Sequence, residues 1–251
     1  ISYKLLMMNE TDQSTTVEGT TIPEDNTSKT RARQSKRRKR SKVRKVEEHG
    51  QALDIPDLSL DLIIRKSNNL KFEHLSSLVD QFGYVPYNLI EIGAFSDDHE
   101  PQVAMVYPMN KSLSSGRYAK RWLPFPTMLW LSCPTLHTEI CELEVDGWVQ
   151  KLNDRLNSSD ESAEYLEAMS KAHRLYATER WSLLTDEDRA VVEENGWTQS
   201  LRESGIAGMR DFNGVKCLHC HYAHHLARPQ HGNIIGTWIH ELLLLKRMDS
   251  A

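Results

Sequence analysis

The chain has 251 residues, 39% of them hydrophobic, which is enough to bury a core as one large domain or two small ones. Its net charge of −4 is unevenly distributed. Residues 31–45 hold ten Lys or Arg and no acid, whereas residues 46–251 hold 19 basic and 30 acidic side chains. An acidic body excludes a broad nucleic-acid-binding face on the folded domain, because phosphates are bound by Lys and Arg. Without a run of 18 apolar residues, we expect no transmembrane span.

Residues 1–57 are rich in Thr, Ser and charged side chains, so we expect a disordered tail that cannot bury enough apolar surface to fold. The basic run at 31–45 allows three interpretations: a nuclear localisation patch, an arm that contacts nucleic acid or another polyanion, or a solvated low-complexity segment. Few cysteines and no secretory signal indicate an intracellular protein, cytoplasmic or nuclear. Because the chain begins with Ile1, a targeting segment could precede it.

Residues 58–248 are predicted to form one α+β domain, a small antiparallel sheet followed by a mainly helical C-terminal half. A first helix carries apolar side chains from Phe72 to Phe82, and Gly83 ends it. Two strands at 88–95 and 102–107, joined by a polar turn, and a third at 127–132 complete the sheet.

Helical spacing dominates after Pro134. Ser158 followed by Glu161 predicts a capping box that starts a long helix, and Thr185 with Asp188 predicts a second box for a shorter one. A helix rich in Cys and His, starting near Gly214, and a final apolar helix over residues 234–245 end the domain.

The Cys/His segment concentrates the reactive side chains, since six of the eleven histidines and two of the four cysteines lie between residues 217 and 240. Pairs four residues apart on a helix can bind one metal ion, and Cys133 is the preferred ligand from outside the segment. Zinc is the expected metal, with these candidate ligands: Cys133, Cys217, His221 and His224. The alternative is that the cysteines are small buried apolar residues and that the histidines line a solvated helix edge.

Several short motifs in order resemble the bacterial domain-of-unknown-function 501 family, a set of uncharacterised cytoplasmic proteins. The resemblance runs from about Leu75 to Leu245. Its motifs include Pro124-Phe125-Pro126-Thr127, Leu131-Ser132-Cys133-Pro134, Leu143-Glu144-Val145-Asp146-Gly147, Glu179-Arg180-Trp181 and Val215-Lys216-Cys217-Leu218-His219. The family pattern implies functional roles for Glu144, Lys216, Cys217, His219 and His224, and for Cys133 in many members. Cys220 departs from the family, which commonly has alanine there. Because some of these proteins are encoded near an exopolyphosphatase, a phosphate-containing small molecule is the ligand that the resemblance suggests.

The first functional hypothesis is a hydrolase or transferase built on Cys217, as a thiolate or as a zinc ligand. Lys216 beside it favours the thiolate, and Glu144 or His219 would move protons. In one regular helix His219 would point about 160° away from Cys217, so the two can cooperate only if the helix starts after Cys217.

The second hypothesis is a binding or scaffold module that has no turnover, in which the Cys/His segment joins sheet and helices through zinc or through packing. The third makes the basic tail the functional part and the folded domain inert. The oligomeric state is left open by the sequence.

Overall fold

The computed structural model describes residues 44–48, 51–55, 70, 72–86, 88–111, 122–158 and 160–249. All of them belong to one compact unit that covers residues 42–251. Two short strands, β1 (Arg44–Glu48) and β2 (Gln51–Ile55), pair antiparallel within the part of the chain predicted to be a tail. The remainder of that predicted tail lies outside the described residues, and so does most of the basic run with its proposed polyanion contact.

The predicted small antiparallel sheet is confirmed. Its strands are β3 (Leu89–Phe95), β4 (Pro101–Val106) and β7 (Leu129–Leu131), with β4 in the centre and both neighbours antiparallel to it. Two further strands, β5 (Met109–Lys111) and β6 (Trp122–Pro124), pair with each other. Helix α1 (Phe72–Phe82) precedes the sheet and ends at Gly83, whose φ of 73° suits glycine best.

The C-terminal half is mainly helical, as predicted. Its helices are α2 (Pro134–Val145), α3 (Trp148–Ser158), α4 (Ser162–Leu183), α5 (Asp186–Glu194), α6 (Leu218–Ala227) and α7 (Ile234–Asp249). Shorter turns lie between them: a π-helical turn (Gln199–Glu203) and two 3-10 turns (Ile206–Gly208 and Pro229–His231). None of the described helices combines the length and apolarity needed to cross a membrane.

One of the two predicted capping boxes is wrong. Ser158 is the last residue of α3, and Glu161, which precedes α4, makes no capping bond with its side chain. Half of the second box is confirmed, because Thr185 Oγ1 accepts a hydrogen bond of 3.2 Å from the Asp188 amide. The Thr185 amide donates to the Tyr107 hydroxyl group instead of to Asp188. Residues 158–161, which join α3 to α4, match the sequence pattern of a capping box without forming its hydrogen bonds.

Helix α6 lies in the middle of the fold. It packs against β7 and β4 of the sheet and against α7. Eight of its ten residues are buried, four of them Cys or His side chains: His219, Cys220, His221 and His224. A helix buried on all sides normally carries apolar residues all round. Buried polar groups are normally paired inside the protein, but His221 Nε2 on α6 has no hydrogen-bond partner in the described part of the chain.

The α4 helix is tied to the loops around it by a fully buried arginine. The Arg180 guanidinium donates hydrogen bonds to the carbonyl oxygens of Leu201 (2.8 Å), Pro126 (3.0 Å) and Ser204. Three backbone carbonyl groups thus share one rigid, planar donor.

Candidate functional site

Helix α2 presents a row of polar side chains towards the beginning of α6. His137, Cys141 and Glu144 occupy positions i, i+4 and i+7 of the helix, so they lie on one face. Cys141 Sγ is 3.7 Å from His137 Nδ1. All three side chains are partly buried.

Helix α6 begins at Leu218, later than the predicted start near Gly214. Cys217 precedes it in an extended conformation, with φ of −144° and ψ of 117°. In an unbroken helix Cys217 and His219 would point apart, but the extended backbone at Cys217 turns its thiol back over the first turn. Both side chains therefore reach Glu144.

The Glu144 carboxylate joins the two helices. Its Oε1 accepts a hydrogen bond of 2.8 Å from the Leu218 amide and lies 3.2 Å from His219 Nδ1. Burial alone would raise the pKa of Glu144, but the hydrogen bonds and charge of His219, with the Leu218 amide, lower it. Glu144 is therefore an ionised acceptor that caps the first turn of α6.

Hydrogen-bond donors around Cys217 favour its thiolate, although the charge of Glu144 opposes it. A hydrogen bond from the Cys220 side chain lowers the pKa of Cys217, burial opposes this, and hydrogen bonds from His219 and the Cys220 amide lower the pKa further. The pKa of Cys220 is raised, first by its hydrogen bond to Cys217 and then by burial. Burial opposes the charge of His219, yet Cys217 and Glu144 outweigh it and raise the pKa of His219 to about 10. The pKa of Cys217 is therefore lowered and that of His219 raised, which favours the charged form of each side chain.

The other ring nitrogen of His219 faces α2. Its Nε2 lies 3.5 Å from Cys141 Sγ and 3.3 Å from the His137 carbonyl oxygen, and the two imidazole rings are 4.7 Å apart. Burial lowers the pKa of His137, and the charge of His219 adds to the effect. Among the described residues, two groups of three could hold a metal ion, and both include His219: His137, Cys141 and His219; and Glu144, Cys217 and His219.

The four residues predicted as metal ligands are not brought together. Cys133 immediately precedes α2, about 16 Å along the helix from Glu144 at 1.5 Å per residue. His221 lies two residues after His219 on α6 and therefore faces the opposite side of that helix. Of the four, only Cys217 belongs to either three-residue group. Lys216, predicted to assist Cys217, is exposed beside it.

His221 and His224 belong to a second cluster, centred on Asn233. Asn233 Nδ2 donates to the His221 carbonyl oxygen at 3.0 Å and lies 3.1 Å from His224 Nδ1. The His221 ring also meets the ring of His173 on α4 at 5.8 Å. Burial lowers the pKa of His221 to about 4 and, together with His221, that of His173 to about 3. These imidazoles are neutral packing groups at neutral pH.

Sequence reasoning missed three residues of these clusters. His137 and Cys141 carry a readable signal, because their i, i+4 spacing on a predicted helix is that of a metal-binding pair. His173 carries no such signal, since its neighbours on α4 do not belong to the cluster.

The comparisons with known proteins give a family and nothing further. Residues 92–241, more than half of the chain, match the family described as Protein of unknown function (DUF501). No curated protein and no solved structure matches the chain.

Proposed function

The chain belongs to the DUF501 family of proteins of unknown function, and from the geometry around Cys217 we propose a hydrolase or transferase with this thiol as its nucleophile. The support is the convergence of Cys217, His219 and Glu144 on the first turn of α6, from two helices far apart in sequence. A nucleophile, a base beside it and a third group that orients the base are the parts that cysteine catalysis requires.

Each residue has a distinct role in the proposed reaction. Cys217 sulfur attacks the carbonyl carbon of an acyl substrate, the bond to the leaving group breaks, and His219 gives its proton to that group. Water or an acceptor alcohol then attacks the thioester and returns a proton to His219, which releases Cys217 as thiolate. Glu144 holds the imidazole in position and stabilises its charge.

Lys216 would bring an anionic substrate to this site. The Lys216 side chain is exposed next to Cys217. Its positive charge would attract an anion that the net negative charge of residues 46–251 otherwise repels. A small molecule with a phosphate group is accordingly the substrate class that we propose for the acyl or group-transfer reaction.

An activated aryl ester tests the proposal, because it acylates a reactive thiol without specific recognition. After brief exposure, peptide mass analysis should find one acyl group on Cys217, and none on this peptide in Cys217→Ser. Cys133→Ser is the matched control, since Cys133 lies outside the cluster, and it should acylate like the wild type. Equal acylation of Cys133, Cys141 and Cys217 would refute the proposal.

A structural staple is the second candidate function, because Cys217 and Cys220 also lie in the main hydrophobic core and Glu144 caps α6. In that case Cys217 would hold α2 against α6 within a binding or scaffold module, with no turnover. Cys217→Ala would then lower the melting temperature strongly, and the wild-type Cys217 would show no excess reactivity.

A further inference from the structure

We propose that His137, Cys141 and His219 form a binding site for one zinc ion, with Glu144 as the group that orients His219. This site goes beyond the proposed nucleophile and does not depend on it. It also differs from the ligand set expected from the sequence, with which it shares no residue.

The distances between the ligand atoms fit a tetrahedral zinc site. Bond lengths of 2.0–2.1 Å to imidazole nitrogen and 2.3 Å to thiolate place nitrogen and sulfur ligands about 3.5 Å apart at tetrahedral angles. Cys141 Sγ lies 3.5 Å from His219 Nε2 and 3.7 Å from His137 Nδ1. Both sulfur–nitrogen distances thus match a zinc site already, and the three ligand atoms lie within 4.8 Å of one another.

Glu144 determines which nitrogen of His219 is available. The carboxylate lies 3.2 Å from Nδ1, so the proton on that nitrogen is held between them, and a metal ion would bind at Nε2 in place of the proton there. Pairing of a ligand histidine with a carboxylate through its other ring nitrogen is the usual arrangement at protein zinc sites. Glu144 is itself fixed by the Leu218 amide at 2.8 Å.

The donor set selects the class of metal. One thiolate and two imidazoles suit zinc and other borderline or soft cations, whereas calcium and magnesium require oxygen ligands. His137 and Cys141 are partly exposed, so an ion can reach them from solvent. Three protein ligands leave the fourth tetrahedral position to water or to an incoming ligand.

The second group, formed by Glu144, Cys217 and His219, is a poorer site. A metal ion bound there would use Nδ1 of His219 and would compete for the Glu144 oxygen that accepts the Leu218 amide. It would also remove the cap from α6. Binding at Nε2 leaves these contacts intact. With zinc on Nε2 and Glu144 on Nδ1, His219 has no nitrogen left to transfer a proton, so the bound ion would switch off the proposed reaction of Cys217.

Cobalt is the probe for this site, because it replaces zinc in tetrahedral sites and a bound thiolate gives it a charge-transfer absorption. The full chain, stripped with a chelator, is titrated with Co²⁺ and then with Zn²⁺. We expect one equivalent of cobalt, a thiolate charge-transfer band, and loss of the band when zinc, the tighter-binding ion, is added.

Three single cysteine variants locate the site. Cys141→Ser should abolish the band, whereas Cys133→Ser, which alters the other cysteine next to α2, and Cys217→Ser should retain it. Glu144→Gln should weaken zinc binding by about 10-fold to 100-fold, as for other orienting carboxylates. An unchanged circular dichroism spectrum of metal-free Cys141→Ser keeps the comparison valid.

Two results would overturn the proposal. One is a band that survives in Cys141→Ser and disappears in Cys217→Ser, which would assign the metal to the second group. The other is the absence of a band in the wild type. Neither depends on the acylation of Cys217, so the metal site and the nucleophile can fail separately.

Discussion

The carboxylate of Glu144 lies 3.2 Å from Nδ1 of His219, although 75 residues separate them in the chain. The same oxygen caps α6 through the Leu218 amide. A single side chain of α2 thereby fixes both where α6 begins and how its first histidine is oriented. Substitution of Glu144 therefore tests both of these roles.

Glu144→Ala should lower the free energy of unfolding by about 1–2 kcal/mol, because the Leu218 amide loses its acceptor. Glu144→Gln keeps a neutral acceptor and should cost less. Glu142→Ala is the control: Glu142 lies on the same helix as Glu144, and its exposed ion pair with Lys246 of α7 should contribute little to stability. Urea unfolding measures all three, and equal losses in Glu144→Ala and Glu144→Gln would contradict the capping role.

Stability should fall as the pH decreases from 7 to 5, partly through His173. In the unfolded chain this residue takes up a proton near pH 6.5, but in the folded protein its pKa is about 3, because it is buried and faces His221. The unfolded state therefore binds more protons than the folded state between pH 7 and 5. The free energy of unfolding falls by about 2 kcal/mol for each such histidine over this range.

His173→Asn isolates this contribution. The asparagine side-chain oxygen can accept the hydrogen bond that the Ile206 amide now donates to His173 Nδ1 at 2.9 Å, but it does not titrate. The loss of stability between pH 7 and 5 should be about 2 kcal/mol smaller than in the wild type. If the stability of both proteins falls equally between pH 7 and 5, His173 takes up its proton as readily in the folded protein as in the unfolded chain, which would contradict this prediction.

Gly236→Ala should destabilise the contact between α6 and α7. An added Cβ would lie 2.3 Å from the Cβ of His225 and 3.0 Å from the His221 carbonyl oxygen, so the helices must separate. We expect a loss of about 1–3 kcal/mol, despite the better helix propensity of alanine. Gly214→Ala, whose Cβ would meet nothing closer than 3.5 Å, is the control in thermal melting. Equal melting temperatures would mean that the helices can adjust.

Arg180→Met should be among the most damaging single changes. It removes the donor shared by the carbonyl oxygens of Leu201, Pro126 and Ser204, at a cost of about 1–3 kcal/mol for each buried acceptor left unpaired. Arg174→Met, on the exposed face of the same helix, should change stability little. A small effect of Arg180→Met in urea unfolding would indicate that water replaces the guanidinium.

The sheet and the helices follow from local patterns, but the site does not. Periodic apolar residues predict α1 and strands β3, β4 and β7 because each segment buries one face or lies wholly inside the core. The start of α6 depends on Glu144, a tertiary contact that no local pattern encodes. Without knowledge of that contact, the sequence predicts that Cys217 lies within the helix and points away from His219.

The choice between cysteines shows the same limit. Cys133 is the ligand that we predict from outside the Cys/His segment, but it lies at the far end of α2 from the site. Cys141 is one helical turn after His137 and two residues before the core residue Leu143, and only packing of α2 against α6 brings it to His219. The contact between Cys141 and His219 depends on tertiary packing, which local sequence patterns do not predict.

The most direct test of the account is the order in which the cysteines of the folded protein react with iodoacetamide, followed by peptide mass analysis. Exposure alone favours Cys133 and Cys141, which are partly exposed, over the buried Cys217. An activated thiol predicts the reverse: Cys217 is modified first, and His219→Gln slows that reaction. Modification of Cys133 and Cys141 before Cys217, with no effect of His219→Gln, would contradict the proposed nucleophile.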